Sequence, residues 1–145
     1  YCEDPSNLMN LNIALSKALQ EVGAGGAVLV LDSLTAALQK CGARASFEFL
    51  RILMAKVKTS KSRLFAKLNR KAFHPAILAA AQDIVDGVIE MKVEESEGSL
   101  RRYVRVPKMR NTGHITAWTP YTVVPNRGLI NMKFSQATSN SVDSV

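Results

Sequence analysis

The sequence contains little cysteine. Its two cysteines, Cys2 and Cys41, lack the close spacing of a metal-binding pair, and two are too few for a disulfide framework. This usage is typical of a reducing compartment, so we expect a cytoplasmic protein. The HExxH, CxxC and GxSxG motifs are absent, and the two histidines, His74 and His114, lie forty residues apart. These absences argue against a metal-dependent or serine hydrolase.

Long hydrophobic runs are also missing. No apolar stretch reaches about 18 residues, and the N-terminus lacks the charged-then-apolar layout of a signal peptide. We therefore expect no association with a membrane. The chain has 145 residues, 47% of them hydrophobic, which predicts one domain with a core of its own. It begins at Tyr1 and not at Met, which we interpret as a fragment or a processed chain.

Positive charge dominates and is unevenly placed. The net charge is +7, with eight basic residues and no acid in residues 51–71 and five more basic residues in residues 101–110. Such a balance makes polyanions plausible partners but says nothing about the fold. A solvated helix face is the alternative explanation for part of the first run.

The stretch that organises the chain is residues 27–35, AVLVLDSLT. Its apolar run predicts a parallel strand buried on both faces, which delivers Asp32 and Ser33 at its C-terminal end. Open α/β sheets bind ligands at that edge, and an unpaired carboxylate cannot lie along a buried strand. The alternative is that Asp32 or Ser33 simply caps the next helix.

The flanking segments predict an α/β order. Asp4 and Pro5 have the residue types of a helix start, and the helix ends in the glycine-rich residues 23–26. A loop over residues 39–45 and a second helix capped by Ser46 follow the central strand. The further predicted elements are a strand over residues 62–68 ending near Asn69, a short helix over 76–84 capped by His74, hairpins over 88–106 and 121–132, and a disordered tail over 135–145.

This order resembles the C-terminal half of the RecA-like ATPase core, in particular its KaiC-like branch, which is common in archaea. The segments that carry the resemblance are VLVLDSLTAAL (28–38), DIVDGVIEMK (83–92), RRYVRVPKMR (101–110) and KMRNTGH (108–114), followed by residues 120–130. The resemblance spans residues 1–134. It implies a RecA-like, partly parallel sheet flanked by helices, with antiparallel hairpins at the C-terminal end.

The resemblance also implies a nucleotide site that uses ATP and Mg²⁺. Asp32 matches the Walker B acid that positions magnesium, with Ser33 beside it, and Asn69 falls where the family keeps a polar residue that senses the γ-phosphate. Lys108, Arg110 and His114 match a K-x-R-x-x-x-H pattern that reaches the nucleotide of a neighbouring subunit. The alternative for Lys108 and Arg110 is an exposed basic turn, and for His114 an ordinary surface or core histidine.

One motif of the family is absent. Nothing in the sequence has the pattern G-x-x-x-x-G-K-[ST], and the glycines of residues 23–26 precede a strand instead of a helix. Without that loop no converging backbone N–H groups cradle the phosphates, so we expect no ATP hydrolysis by the chain alone. It is either part of a longer ATPase or a relative that serves as a ring or scaffold subunit. Half a RecA-like core would expose sheet edges and apolar surface, so we expect a homo-oligomer or a missing N-terminal half as its partner.

A second hypothesis is a non-enzymatic nucleic-acid-binding or scaffold module. The thirteen basic residues of the two runs have aromatic residues near them: Phe65, Phe73, Tyr103 and Trp118. Single-strand binders combine a basic groove with stacking aromatic rings. Aromatic residues are few here, at 6% of the chain, so this hypothesis ranks second.

Overall fold

The computed structural model describes residues 7–22, 25–96 and 98–131. The predicted helix start at Asp4 and Pro5 and the predicted tail over residues 135–145 lie outside these residues. The fold is mixed α/β and divides into two units, Tyr1–Val85 and Asp86–Val145. No helix in the described ranges is long and apolar enough to cross a membrane.

The first unit combines three helices with a parallel pair of strands. Strands β1 and β2 pair in parallel from Val28 opposite Arg63 to Leu31 opposite Ala66, as the α/β order predicts. The elements in chain order are α1 (Leu8–Val22), β1 (Val28–Leu31), α2 (Leu34–Thr59), β2 (Arg63–Ala66), a 3-10 helix (Arg70–Ala72) and α3 (Pro75–Ile84).

Helix α1 packs along α2. Asn7 is its N-terminal cap, since the Asn7 side-chain oxygen accepts from the Asn10 N–H at 3.1 Å. Leu19 of α1 is buried in one apolar cluster with Phe49 and Leu53 of α2. Lys56 of α2 adds polar contacts, because its Nζ donates to Asn12 Oδ1 at 2.8 Å and to Ser16 Oγ at 2.5 Å.

Helix α2 corrects the predicted loop over residues 39–45. Two helical segments meet there at a kink, where Gly42 has a non-helical backbone with φ 77° and ψ 167°, so the predicted interruption is present but is not a loop of seven residues. Good helix formers surround Gly42, so the break between the two segments is confined to this one glycine, which tolerates a positive φ. Ser46, predicted to cap a new helix, is instead fully buried inside α2.

Strand β1 corrects the prediction of a strand buried on both faces. Leu29 and Leu31 pack into the apolar cluster, whereas Val28 is 61% exposed and Val30 is 73% exposed. Within the described residues the parallel sheet has two strands, and the helical core contacts one face of it. The predicted alternation of β2 is confirmed, since Leu64 and Ala66 are half-buried and Arg63 is exposed.

Turns at the ends of these elements use the expected residue types. Gly26, just before β1, has φ 70°, and a Cβ there would lie 2.5 Å from the Lys61 carbonyl oxygen, so only glycine fits. His74 caps α3, as predicted, because its Nδ1 accepts from the Ala76 N–H at 3.3 Å and Pro75 occupies the first helical position.

The second unit is a four-stranded antiparallel sheet in the order β3-β4-β5-β6. The strands are β3 (Gly87–Ser96), β4 (Ser99–Met109), β5 (Thr119–Val124) and β6 (Gly128–Asn131). Both predicted hairpins are confirmed. The predicted break after residue 106 comes later, since β4 continues to Met109, opposite Gly87. The β5–β6 turn uses left-handed Asn126 and Gly128.

Candidate functional site

Asp32 and Ser33 lie directly after β1, at the C-terminal edge of the parallel pair. The Asp32 carboxylate forms an ion pair with Lys67 Nζ at 2.5 Å. Lys67 follows β2 directly, so the two strand ends bring the charges together. Both side chains are more than half exposed, at 59% for Asp32 and 67% for Lys67. The carboxylate is therefore open to solvent and to a ligand.

Backbone hydrogen bonds tie the two strand ends to each other. The Lys67 N–H donates to the Leu31 carbonyl at 3.0 Å, and the Leu34 N–H donates to the Lys67 carbonyl at 2.9 Å. The Asn69 N–H donates to Thr35 Oγ1 at 2.9 Å. Three bonds therefore fix the position of residues 67–69 beside the turn that carries Asp32.

Ser33 occupies the N-cap position of α2. Its backbone is extended, with φ −142° and ψ 152°, but its side chain makes no capping hydrogen bond. The peptide bond between Asp32 and Ser33 is cis. The alternative explanation of this pair as a helix cap is thus right about the position of Ser33 and wrong about a capping bond from its side chain.

Asn69 is at the same edge, after β2. Its side-chain oxygen accepts from the Lys71 N–H at 3.1 Å and so caps the short 3-10 helix. The backbone brings Asn69 next to the turn of Asp32 and Ser33 through Thr35. Its amide oxygen accepts this one bond, and its amide nitrogen is the group that could donate to a phosphate oxygen.

Lys108, Arg110 and His114 belong to the second unit. Arg110 follows the end of β4, and its guanidinium lies 3.1 Å from the Asp86 carboxylate, while its backbone N–H donates to the Asp86 carbonyl at 2.9 Å. Lys108 is half-buried in β4, opposite Val88. His114 is exposed, and its Nδ1 lies 2.9 Å from the Thr112 carbonyl oxygen, a contact that is a hydrogen bond in the tautomer with the proton on Nδ1.

Comparison with known proteins identifies the family of this chain. The model of the KaiC ATPase family matches residues 2–134, most of the chain. The chain belongs to the KaiC ATPase family. A KaiC-like protein from the hyperthermophilic archaeon Pyrococcus horikoshii OT3 is similar in structure, with a TM-score of 0.65 and 25% sequence identity. The match covers 88% of this chain and 57% of that protein. Comparison with curated proteins gave no match.

Membership of the KaiC family implies nucleotide and Mg²⁺ use in general, and the donor set at the edge of the sheet fits magnesium. Asp32 supplies a carboxylate and Ser33 and Thr35 supply hydroxyl oxygens, the hard ligands that Mg²⁺ takes together with water and phosphate oxygens. No cluster of three or more His, Cys, Asp or Glu that could hold a metal ion occurs in the described part of the chain. The triphosphate does not fit this edge alone, since the sequence contains no phosphate-binding loop.

Two residues at this edge were missed from sequence, Lys67 and Thr35. The signal for Thr35 was present, since it belongs to the DSLT run after β1. The signal for Lys67 was weaker, because a lysine in a basic run is usually solvated. Only the register of β1 against β2 shows that Lys67 reaches Asp32.

Proposed function

We propose that this KaiC-family chain contributes one side of an ATP–Mg²⁺ site to a nucleotide-dependent assembly and does not hydrolyse ATP alone. The observation that supports it is the C-terminal edge of the parallel pair, where Asp32 and Ser33 lie beside residues 67–69. Ligands bind to α/β sheets at this edge. Asp32 would hold Mg²⁺ through its water shell, and the bound ion would neutralise charge on the phosphates.

The other side of the site comes from elsewhere in the assembly. Lys108 and Arg110, with His114, would contact the nucleotide held by a neighbouring copy, where positive charge stabilises the phosphoryl oxygens in the transition state. The phosphate-binding loop would come from an N-terminal half that covers the exposed face of β1. Val28 and Val30 of that face, with Phe65 of β2, are each more than half exposed, as expected of a surface that a partner covers.

Trans complementation tests this function. ATP with Mg²⁺ is titrated calorimetrically into the purified chain, and light scattering gives the mass of the same sample. We expect binding that requires assembly, and no phosphate release. Asp32→Asn and Arg110→Met should each abolish this binding, and a mixture of the two variants should restore part of it, because some sites then combine an intact Asp32 with an intact Arg110.

Arg127→Met is the matched control, since Arg127 lies in the exposed β5–β6 turn. It removes the same charge as Arg110→Met and should leave binding unchanged. A chain that shows neither binding nor a change of mass, with or without a P-loop-bearing half, contradicts the proposal. So does binding that survives both Asp32→Asn and Arg110→Met.

Nucleic-acid binding is the second candidate function, and one observation favours it. Phe65 of β2 is 52% exposed, with the exposed Arg63 on the same face and Lys61 before the strand. An open ring beside cations suits base stacking. Binding to a single-stranded oligonucleotide should then fall steeply with salt and weaken in Phe65→Ala. An affinity that ignores ionic strength would exclude it.

A further inference from the structure

One face of the four-stranded sheet is apolar, and the large side chains around Tyr121, which is itself buried at 8% exposure, are open to solvent. Alternate residues of a strand point to the same side of a sheet, and residues paired across neighbouring strands share that side. The pairs that define this face are Glu95 with Leu100, Arg102 with Tyr121, and Val123 with Leu129. We define the apolar face by its large exposed side chains: Ile89, Met91, Val93, Leu100, Val123 and Leu129.

The exposure of this face is unusual for a monomer. Each of the six side chains is between 51% and 62% exposed. Together they present roughly 600 Å² of surface, the upper end of the largest patch on a typical monomer. A standard interface buries about 800 Å² per partner, so this face with its rim has the area of a dimer contact.

The opposite face of the same sheet carries paired charges. Arg105 donates twice to Glu90, at 2.7 and 2.5 Å, and Lys92 pairs with Glu94 at 2.6 Å. Lys92 and Arg105 both lie 4.5 Å from the centroid of the Trp118 ring. Sorting of charged and apolar side chains to opposite faces is the pattern of a sheet with one face against a partner.

The charges on the apolar face indicate which partner fits. Glu95 and Arg102 both lie on it, on adjacent strands, and neither side chain has an ion pair or hydrogen bond within residues 7–22, 25–96 and 98–131. The face therefore carries one charge of each sign. A two-fold axis that passes between these residues brings Glu95 of each copy to Arg102 of the other, so the surface is complementary to itself.

We propose that the apolar face binds the same face of a second copy, forming a two-sheet sandwich with reciprocal Glu95–Arg102 pairs. Packed sheets lie about 10 Å apart and interdigitate their side chains, which the aliphatic residues here suit. The dimer goes beyond the proposed function and needs no nucleotide. Lys108 lies opposite Val88 on the other face and Arg110 lies beyond β4, so the contact leaves both accessible.

The oligomeric state without nucleotide tests the apolar part of the contact. Sedimentation equilibrium of the full chain should give a dimer. Met91→Lys should raise the dissociation constant at least about tenfold, since it buries a charge without a partner. Ile13→Lys is the matched control, because Ile13 on α1 is similarly exposed, at 50%, and should leave the dimer intact. Helical circular dichroism and Trp118 fluorescence check that both variants fold.

Charge reversal tests the geometry. Glu95→Arg and Arg102→Glu should each be monomeric alone, because like charges would face each other twice. A mixture of the two variants should form a heterodimer, because each Arg then meets a Glu of the other chain. A monomeric native chain overturns the proposal, as does a mixture that associates no more than its components. An equal loss of dimer in Met91→Lys and Ile13→Lys also overturns it.

Discussion

A lysine forms an ion pair with Asp32, the carboxylate at which we propose a metal. The 2.5 Å contact between Lys67 Nζ and Asp32 is largely exposed to solvent, so it contributes at most about 1 kcal/mol. The Lys67 backbone is nevertheless held beside Asp32, because it makes hydrogen bonds to both sides of the Asp32 turn. A divalent cation that binds Asp32 must therefore displace the Lys67 ammonium group or bind against its repulsion.

Lys67→Met is expected to strengthen divalent-cation binding at Asp32. The substitution keeps an unbranched side chain, one atom shorter, and removes the competing charge, which predicts roughly a two- to fivefold gain in affinity from an exposed ion pair. Mn²⁺ binding to the full chain, followed by electron paramagnetic resonance without nucleotide, measures it. Lys71→Met makes the same charge change on the exposed 3-10 helix and serves as control. Equal effects of the two substitutions would show that net charge alone acts.

The sequence predicts the position of Asp32 better than its surroundings. An apolar run followed by an acid is local information, and β1 ends where that pattern indicates. The ion pair to Lys67 depends on the register between two strands separated by the whole of α2. No periodicity within either strand encodes that register, so the pair becomes visible only in three dimensions.

At the scale of the elements, local chemistry also decides what was predictable. The hairpins follow from alternating residues around glycine-containing turns, and α3 follows from His74 and Pro75. Strand β1 shows the limit of prediction from local sequence. Its VLVL sequence suits a strand covered on both sides but does not indicate which part of the protein supplies the covering layer. Gly42 shows a second limit, because a glycine among helix formers is as typical of the end of a helix as of a kink within one.

The packing of α1 on α2 allows a direct comparison of apolar and polar contacts. Leu53 is fully buried between them, so Leu53→Ala should lower the free energy of unfolding by about 2–5 kcal/mol. Lys56→Met should cost only about 1 kcal/mol, because Asn12 and Ser16 are partly exposed and regain hydrogen bonds to water. Urea unfolding followed by circular dichroism at 222 nm measures both.

Lys40→Met, on the exposed side of the same helix, controls for the loss of a charge and should be close to neutral. If Lys56→Met proves as costly as Leu53→Ala, the hydrogen bonds from Lys56 hold α1 in place as strongly as the leucine packing does.

For the whole molecule, the two units differ in what stabilises them. Both apolar clusters consist of residues from the first unit, whereas the described strands of the second unit leave one face open. The described helices all belong to the first unit, and the single tryptophan, Trp118, belongs to the second. Helical circular dichroism and tryptophan fluorescence therefore report the two units separately.

We expect the two signals to respond to different substitutions. Leu50 is fully buried in the first unit, so Leu50→Ala should shift the urea midpoint of the 222 nm signal, by about 2–5 kcal/mol in stability, and leave the Trp118 transition nearly unchanged. Tyr121 is 8% exposed within the second sheet, and Tyr121→Ala should shift the fluorescence transition alone. Coincident transitions that move together in both variants would instead mean that the chain unfolds as one cooperative unit, because two-state unfolding makes all probes agree.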